Sequence, residues 1–171
     1  LSSADQPRFD HDPTTGESLG LLVEESRTNL VTYSEEFDNS GAWSSLNLTV
    51  TANQAQAPDG TSTADKFLGL AGTSLKTVGQ NTTNSGTYTY SVYVKSSTQR
   101  YYQISRSGNA TDYVNFDIQA LQRSLYGVTT GSIQYVGNGW YRLIATFPSL
   151  SNSSMFLSYA DSLSFARQGS T

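Results

Sequence analysis

The alternation of apolar and polar positions is sharpest over residues 87–95, Thr-Tyr-Thr-Tyr-Ser-Val-Tyr-Val-Lys. Tyr88, Tyr90, Val92 and Val94 share one side, and Thr89, Ser91, Tyr93 and Lys95 share the other. A strand sends successive side chains to opposite faces, so this spacing predicts one buried and one wet face. β-Branched and aromatic residues suit such a half-buried pleated surface. Tyr93 breaks the pattern by setting a ring among the polar positions.

The same reading predicts further strands along the chain. Residues 29–32 form a short apolar run and read as the first strand of the main body. Leu48, Val50 and Ala52 alternate with threonine and asparagine. Residues 64–70 read as a strand or a helical turn, and 75–80 as a weak strand. Segments 100–105, 113–118, 121–128, 132–136, 140–147 and 155–159 complete the set, and 160–171 is a tail of small residues. Ala57-Pro-Asp-Gly60, Asn84-Ser-Gly86 and Gly137-Asn-Gly139 carry turn chemistry between them.

Upstream, the segment Pro7-Arg-Phe-Asp-His-Asp-Pro13 is held extended, because a residue before proline avoids the helical region. A turn at Asp12-Pro-Thr-Thr-Gly16 and a strand over 19–25 make it a hairpin with little core of its own. Such an arm rests on the main domain or on a neighbouring subunit. No stretch carries a helical period. Short strands at roughly ten-residue spacing predict an all-β fold, an antiparallel β-sandwich or jelly roll. The division is an extended arm over 1–28 and a sandwich over 29–171.

Composition narrows the function. A chain of 171 residues is long enough for one domain with a real core. Ten basic residues against fourteen acidic ones give a net charge of −4, which disfavours nucleic acid. There is no cysteine, so disulfides and thiolate metal sites are excluded. No run approaches the length of a membrane span, so membrane insertion is not expected, and no basic-then-apolar signal pattern opens the sequence.

The motifs themselves carry a resemblance. Pro7-Arg-Phe-Asp-His-Asp-Pro13, Gly20-Leu-Leu-Val-Glu-Glu25 and Arg27-Thr-Asn-Leu30, in that order, resemble a series in bacteriophage tail-fibre and virion structural proteins. There the series precedes a jelly roll like that of carbohydrate-binding modules. Tyr33-Ser-Glu-Glu-Phe37 with Trp43, Ala57-Pro-Asp-Gly60 with Ala64-Asp-Lys66, Asn115-Phe-Asp117 and Gly137-Asn-Gly-Trp-Tyr-Arg142 fit the same pattern. The resemblance implies a virion or extracellular location, a role in sugar binding or virion assembly, and a homo-oligomer, a trimer or part of one. It also implies a further apolar strand after residues 165–171, so one sheet edge is expected to be open or closed by another segment or subunit.

Candidate chemistry was sought against that background. His11 is the sole histidine and stands in the arm, a poor anchor for a nucleophile's base. Glu24 and Glu25, like Glu35 and Glu36, are neighbours, so on strands each pair points to opposite faces rather than across a cleft. No enzymatic activity is expected. Asp10, His11 and Asp12 read as an exposed turn. Asp59 and Asp65 flank an oxygen-rich loop, and the resemblance to sugar modules makes them candidates for a structural calcium; otherwise Asp59 caps its own turn.

The outward-facing positions hold the remaining chemistry. Alternation predicts that Tyr93, Lys95, Tyr101, Gln103, Tyr113, Asn115, Asp117, Trp140 and Arg142 all face away from the core. Aromatic rings with amides, cations and an acid suit a polysaccharide, whose rings offer C–H faces and whose hydroxyls need polar partners. The same set would serve equally as a subunit interface, or as cross-strand pairs that stabilise a sheet.

Overall fold

The protein was analysed as a computed structural model, in which residues 9–11, 15, 17–21, 28–72, 75–83, 86–95, 98–106, 112–127, 130–148 and 153–166 are described. Thirteen strands and no helix occur among them. An N-terminal antiparallel hairpin joins β1 (Phe9–His11) to β2 (Ser18–Leu21). The body holds β3 (Ser44–Leu46), β4 (Leu48–Ala55), β5 (Ala64–Gly69), β6 (Thr77–Thr82) and β7 (Tyr88–Lys95). It continues with β8 (Tyr101–Arg106), β9 (Tyr113–Asp117), β10 (Gln122–Tyr126), β11 (Thr130–Gly137), β12 (Trp140–Phe147) and β13 (Ser153–Ala160).

Every pairing is antiparallel, and the strands form a β-sandwich. One layer is a six-stranded sheet in the order β10-β9-β8-β13-β6-β3. The other is in two pieces, a three-stranded sheet β11-β12-β7 and a two-stranded sheet β4-β5. Consecutive strands link the layers at both sides. β3 passes to β4 through Asn47, whose φ of 52° makes the corner. β10 leads to β11, where a Cβ on Gly131 would lie 2.9 Å from Leu125 Cδ2. Glycine there lets the two layers approach.

The core forms where the inner faces meet. Tyr90, Val92 and Val94 of β7 and Leu143, Ala145 and Phe147 of β12 face Ile104, Val114, Phe116, Val78, Met155 and Leu157 of the six-stranded sheet. Each valine, leucine, isoleucine, phenylalanine or methionine side chain among them contributes about 1.5–3 kcal/mol when fully buried. Trp43 plugs the β4-β5 side: the Phe37 ring lies 4.5 Å from its ring and 5.3 Å from that of Phe67. The inner face predicted for 87–95 is therefore correct.

One expectation needs correction, and others are narrowed. Residues 29–32 are not a strand but lead into a series of turns, and β3 is the first strand of the body. The buried side chain of Gln80 serves that loop instead of a strand partner: its Oε1 accepts from Thr32 N at 2.8 Å and its Nε2 donates to Thr32 O at 2.9 Å. Residues 64–70 contain a strand with no helical turn. Of the small-residue tail read over 160–171, Ala160 ends β13, the carbonyls of Leu163, Phe165 and Ala166 accept hydrogen bonds on the outer face of the six-stranded sheet, and 167–171 lie outside the described residues. The strand read over 19–25 is seen to Leu21, and its remainder lies outside the described residues.

Candidate functional site: two outer faces

The nine outward residues predicted from alternation do not share one surface. Tyr93, Lys95, Trp140 and Arg142 lie on the three-stranded sheet, and Tyr101, Gln103, Tyr113, Asn115 and Asp117 on the six-stranded sheet behind it. Period-2 alternation assigns a face to each residue but names no partner strand.

On the six-stranded sheet the outward residues are consumed by the protein itself. Gln103 and Asn115 are opposite each other in the β8–β9 register and are fully buried. Gln103 Nε2 donates to Asn115 Oδ1 at 2.7 Å and to Ala166 O at 3.1 Å. Asn115 Nδ2 donates to Leu163 O at 3.0 Å and Phe165 O at 2.8 Å. These amides therefore hold residues 163–166, which are not part of a strand. Tyr113 stacks on Tyr126 with ring centroids 4.3 Å apart, and the Tyr126 hydroxyl donates to Leu163 O. Burial, then the neighbouring Tyr126, pushes the Tyr113 hydroxyl above its usual range.

Asp117 is also structural. Arg100 Nη2 meets its Oδ2 at 2.6 Å and Arg100 Nε its Oδ1 at 2.8 Å, a bidentate pair. The backbone N–H groups of Gln119 and Ala120 donate to the same Oδ1 at 3.1 Å, capping the β9–β10 turn. The Arg100 hydrogen bond, with help from these amides, holds the carboxyl below the usual range against the opposing effect of burial. Tyr101, half-buried, lies under the Arg100 guanidinium at 5.0 Å.

The outer face of the three-stranded sheet is open. Thr89, Ser91, Tyr93 and Lys95 of β7 are all exposed, and Tyr93 keeps 45% of its surface. Arg142 stands opposite Tyr93, with its guanidinium carbon 5.7 Å from the ring centroid and Nη2 donating to Ser91 Oγ at 3.2 Å. Its Nε is buried and without an acceptor among the described residues. Gln134 of β11 faces Arg142 from the other side, and the Thr89 and Thr146 hydroxyls bond at 2.9 Å. A ring backed by a cation and ringed by hydroxyls and an amide is thus presented on a flat sheet.

Trp140 is not part of that display. It is buried, and its Nε1 donates to Gln56 O at 3.1 Å, tying the 56–60 turn to the end of the sheet. Ser91, placed on this side by its spacing but not among the nine candidates, and Gln134, which the sequence reading did not raise, both belong to the open face. Counting back across the hairpin turn, where Gly137, Asn138 and Gly139 all have positive φ, would have placed Gln134 beside Arg142.

Both calcium candidates have protein partners. Asp65 Oδ2 accepts from Phe37 N at 2.8 Å and Oδ1 from Asn53 N at 3.0 Å, so it ties two loops together. Asp59 accepts from the Thr61 hydroxyl at 2.7 Å and its N–H at 2.9 Å, an Asx turn that lowers its pKa from the ordinary value. No group of three acidic or histidine residues able to hold a metal occurs among the described residues. No family model matches the chain, and no curated protein matches it.

Proposed function

We propose that the domain is a non-catalytic carbohydrate-binding module, carried on a virion or tail-fibre surface as the sequence resemblance implies. It holds polysaccharide on the outer face of the three-stranded sheet. The observation that carries this reading is the exposed Tyr93 ring backed by Arg142, with Ser91, Lys95 and Gln134 around it. A pyranose C–H face stacks on the free side of the ring, and the surrounding hydroxyl, amide and ammonium groups meet its hydroxyls. Gln103, Asn115 and Asp117 take no part, because their polar atoms are already used. A single small site of this kind binds weakly, and display in several copies, such as a trimer, raises avidity through effective concentration.

Affinity electrophoresis through gels carrying neutral and acidic bacterial polysaccharides tests the reading. Retardation in at least one gel, abolished by Tyr93→Ala, is expected; free migration in every gel counts against it. A second reading, an assembly role with this face at a subunit contact, is favoured by the exposed aromatic pair Tyr93 and Tyr135 on the same sheet. It predicts an oligomer that survives dilution and dissociates in the Tyr93→Ala variant.

A further inference from the structure

The open face has a charge balance opposite to that of the chain. The outward positions of β7, β11 and β12, all of them described, hold hydroxyl, amide and apolar side chains, two cations and no carboxylate. The cations are Lys95 and Arg142. The whole chain has fourteen acidic residues against ten basic ones and a net charge of −4. Most of its surface therefore repels an anion, and this face draws one to a particular place.

The arginines differ in the same sense. Arg100 meets Asp117 and Arg106 meets Asp112 within the chain. Arg142 meets no carboxylate among the described residues. It makes one hydrogen bond, from Nη2 to Ser91 Oγ at 3.2 Å, and its buried Nε lacks an acceptor among them. A cation drawn partly out of water without a counter-charge is destabilising, and an anion at its remaining edge offsets that cost.

The layout around the ring narrows the anion. Arg142 stands opposite Tyr93 in the register, with its guanidinium carbon 5.7 Å from the ring centroid. Lys95 lies two residues further along β7, roughly 7 Å at strand rise. Its stem runs beside Gly139, where a Cβ would lie 3.5 Å from Lys95 Cε. One cation is thus level with the ring and the other beyond it along the strand. A uronic acid carries its carboxylate on the pyranose edge, within reach of a cation level with the ring on which the pyranose stacks. The planar carboxylate matches the guanidinium fork, whereas the ammonium of Lys95 acts as a point charge. A polymer of such sugars repeats its charge and serves both.

We propose that the ligand of this face is an acidic polysaccharide, with a uronic-acid carboxylate held by Arg142, its pyranose stacked on Tyr93, and a further carboxylate of the polymer met by Lys95. The proposal rests on the reading of this face as a sugar site and adds the chemical class of the sugar.

Retention of the 171-residue protein on beads carrying covalently bound polymer tests this. The probes are polygalacturonate, alginate and hyaluronan, each beside its own carboxyl-reduced, neutral form; dextran and dextran sulfate are the controls. Binding to at least one polyuronate is expected, weakened about tenfold or more when the carboxylates of that polymer are reduced. This comparison uses the unaltered protein, so it does not depend on a variant folding. Arg142→Lys, which keeps the charge and loses the fork, should bind that polyuronate about tenfold more weakly with an unchanged melting temperature. Reduced polymers held as tightly as the acidic ones, with Tyr93→Ala abolishing both, would overturn the acidic ligand and leave the sugar-binding reading standing. No retention on any polymer would overturn both. Dextran sulfate held as tightly as the polyuronate, with Arg142→Lys binding like the unaltered protein, would overturn the carboxylate assignment, because charge alone would then account for binding.

Discussion

The two outer faces of the sandwich begin from the same kind of sequence and end differently. Both alternate, both carry tyrosine, and both place an arginine beside a ring. On the six-stranded sheet the polar groups at the centre are amides, Gln103 and Asn115, and a segment of the same chain lies on them. On the three-stranded sheet the corresponding groups are the hydroxyls of Thr89 and Ser91, the exposed amide of Gln134, and the cations Lys95 and Arg142. Amides present donors and acceptors in fixed planes and suit backbone partners. Lysine and arginine on an open face retain hydration and remain available. On the proposed reading, an outward polar residue is available to a ligand where the described residues of its own chain leave it exposed.

The largest test of that contrast removes the covering segment. A chain ending at Ala160 loses the bonds from Gln103 and Asn115 to residues 163–166. Urea unfolding is expected to show a loss of about 3 kcal/mol or more, since buried amides are left without partners. Asn115→Ala comes next, at about 2–3 kcal/mol, because Gln103 and two carbonyls then lose their partner. Equal stability in either variant would mean that the segment merely rests there.

Asp117→Asn follows, with an expected cost of about 1–3 kcal/mol at neutral pH for the lost charge on the Arg100 pair and turn cap. Its folded pKa lies below the unfolded value of about 3.9. The stabilisation is therefore complete above that value and disappears as the pH falls through the folded pKa. Unfolding curves of the two proteins should begin to approach each other as the pH falls below about 4 and meet below the folded pKa of Asp117. A gap that persists in acid would assign the effect to shape rather than charge. The smallest stability effect belongs to the open face: Tyr93→Ala should stay within about 0.5 kcal/mol while abolishing polysaccharide retardation. A large loss of stability there would make the ring a structural element like Tyr113.

Much of the strand content was legible in the sequence, and so was the buried side of the segments 87–95, 113–118 and 140–147. Val92, Val94, Leu143 and Phe147 face the core as their spacing predicts. The grouping of strands into sheets was not legible. Nothing in the alternation of 87–95 says that β7 pairs with β12 while β8 pairs with β13. That depends on long-range register, which adjacent residues do not encode. The apolar run 29–32 misled because the buried Gln80 side chain, rather than a neighbouring strand, satisfies Thr32. Trp140 misled because parity placed it outward, and the parity is right; a turn 84 residues earlier in the chain folds over it. The Gly79 position shows the same kind of non-local cause. A Cβ there would lie 2.3 Å from Phe156 Cδ1, so the ring of a distant strand, not a local turn, requires glycine.

The contrast between the faces is tested most directly by NMR of the tyrosine rings while a retarding polysaccharide is added. Titration should shift and broaden the Tyr93 ring signals and leave those of Tyr113 and Tyr126 unchanged. Shifts at Tyr113 and Tyr126 with Tyr93 unmoved would contradict the account, because the covered face would then be the one that binds.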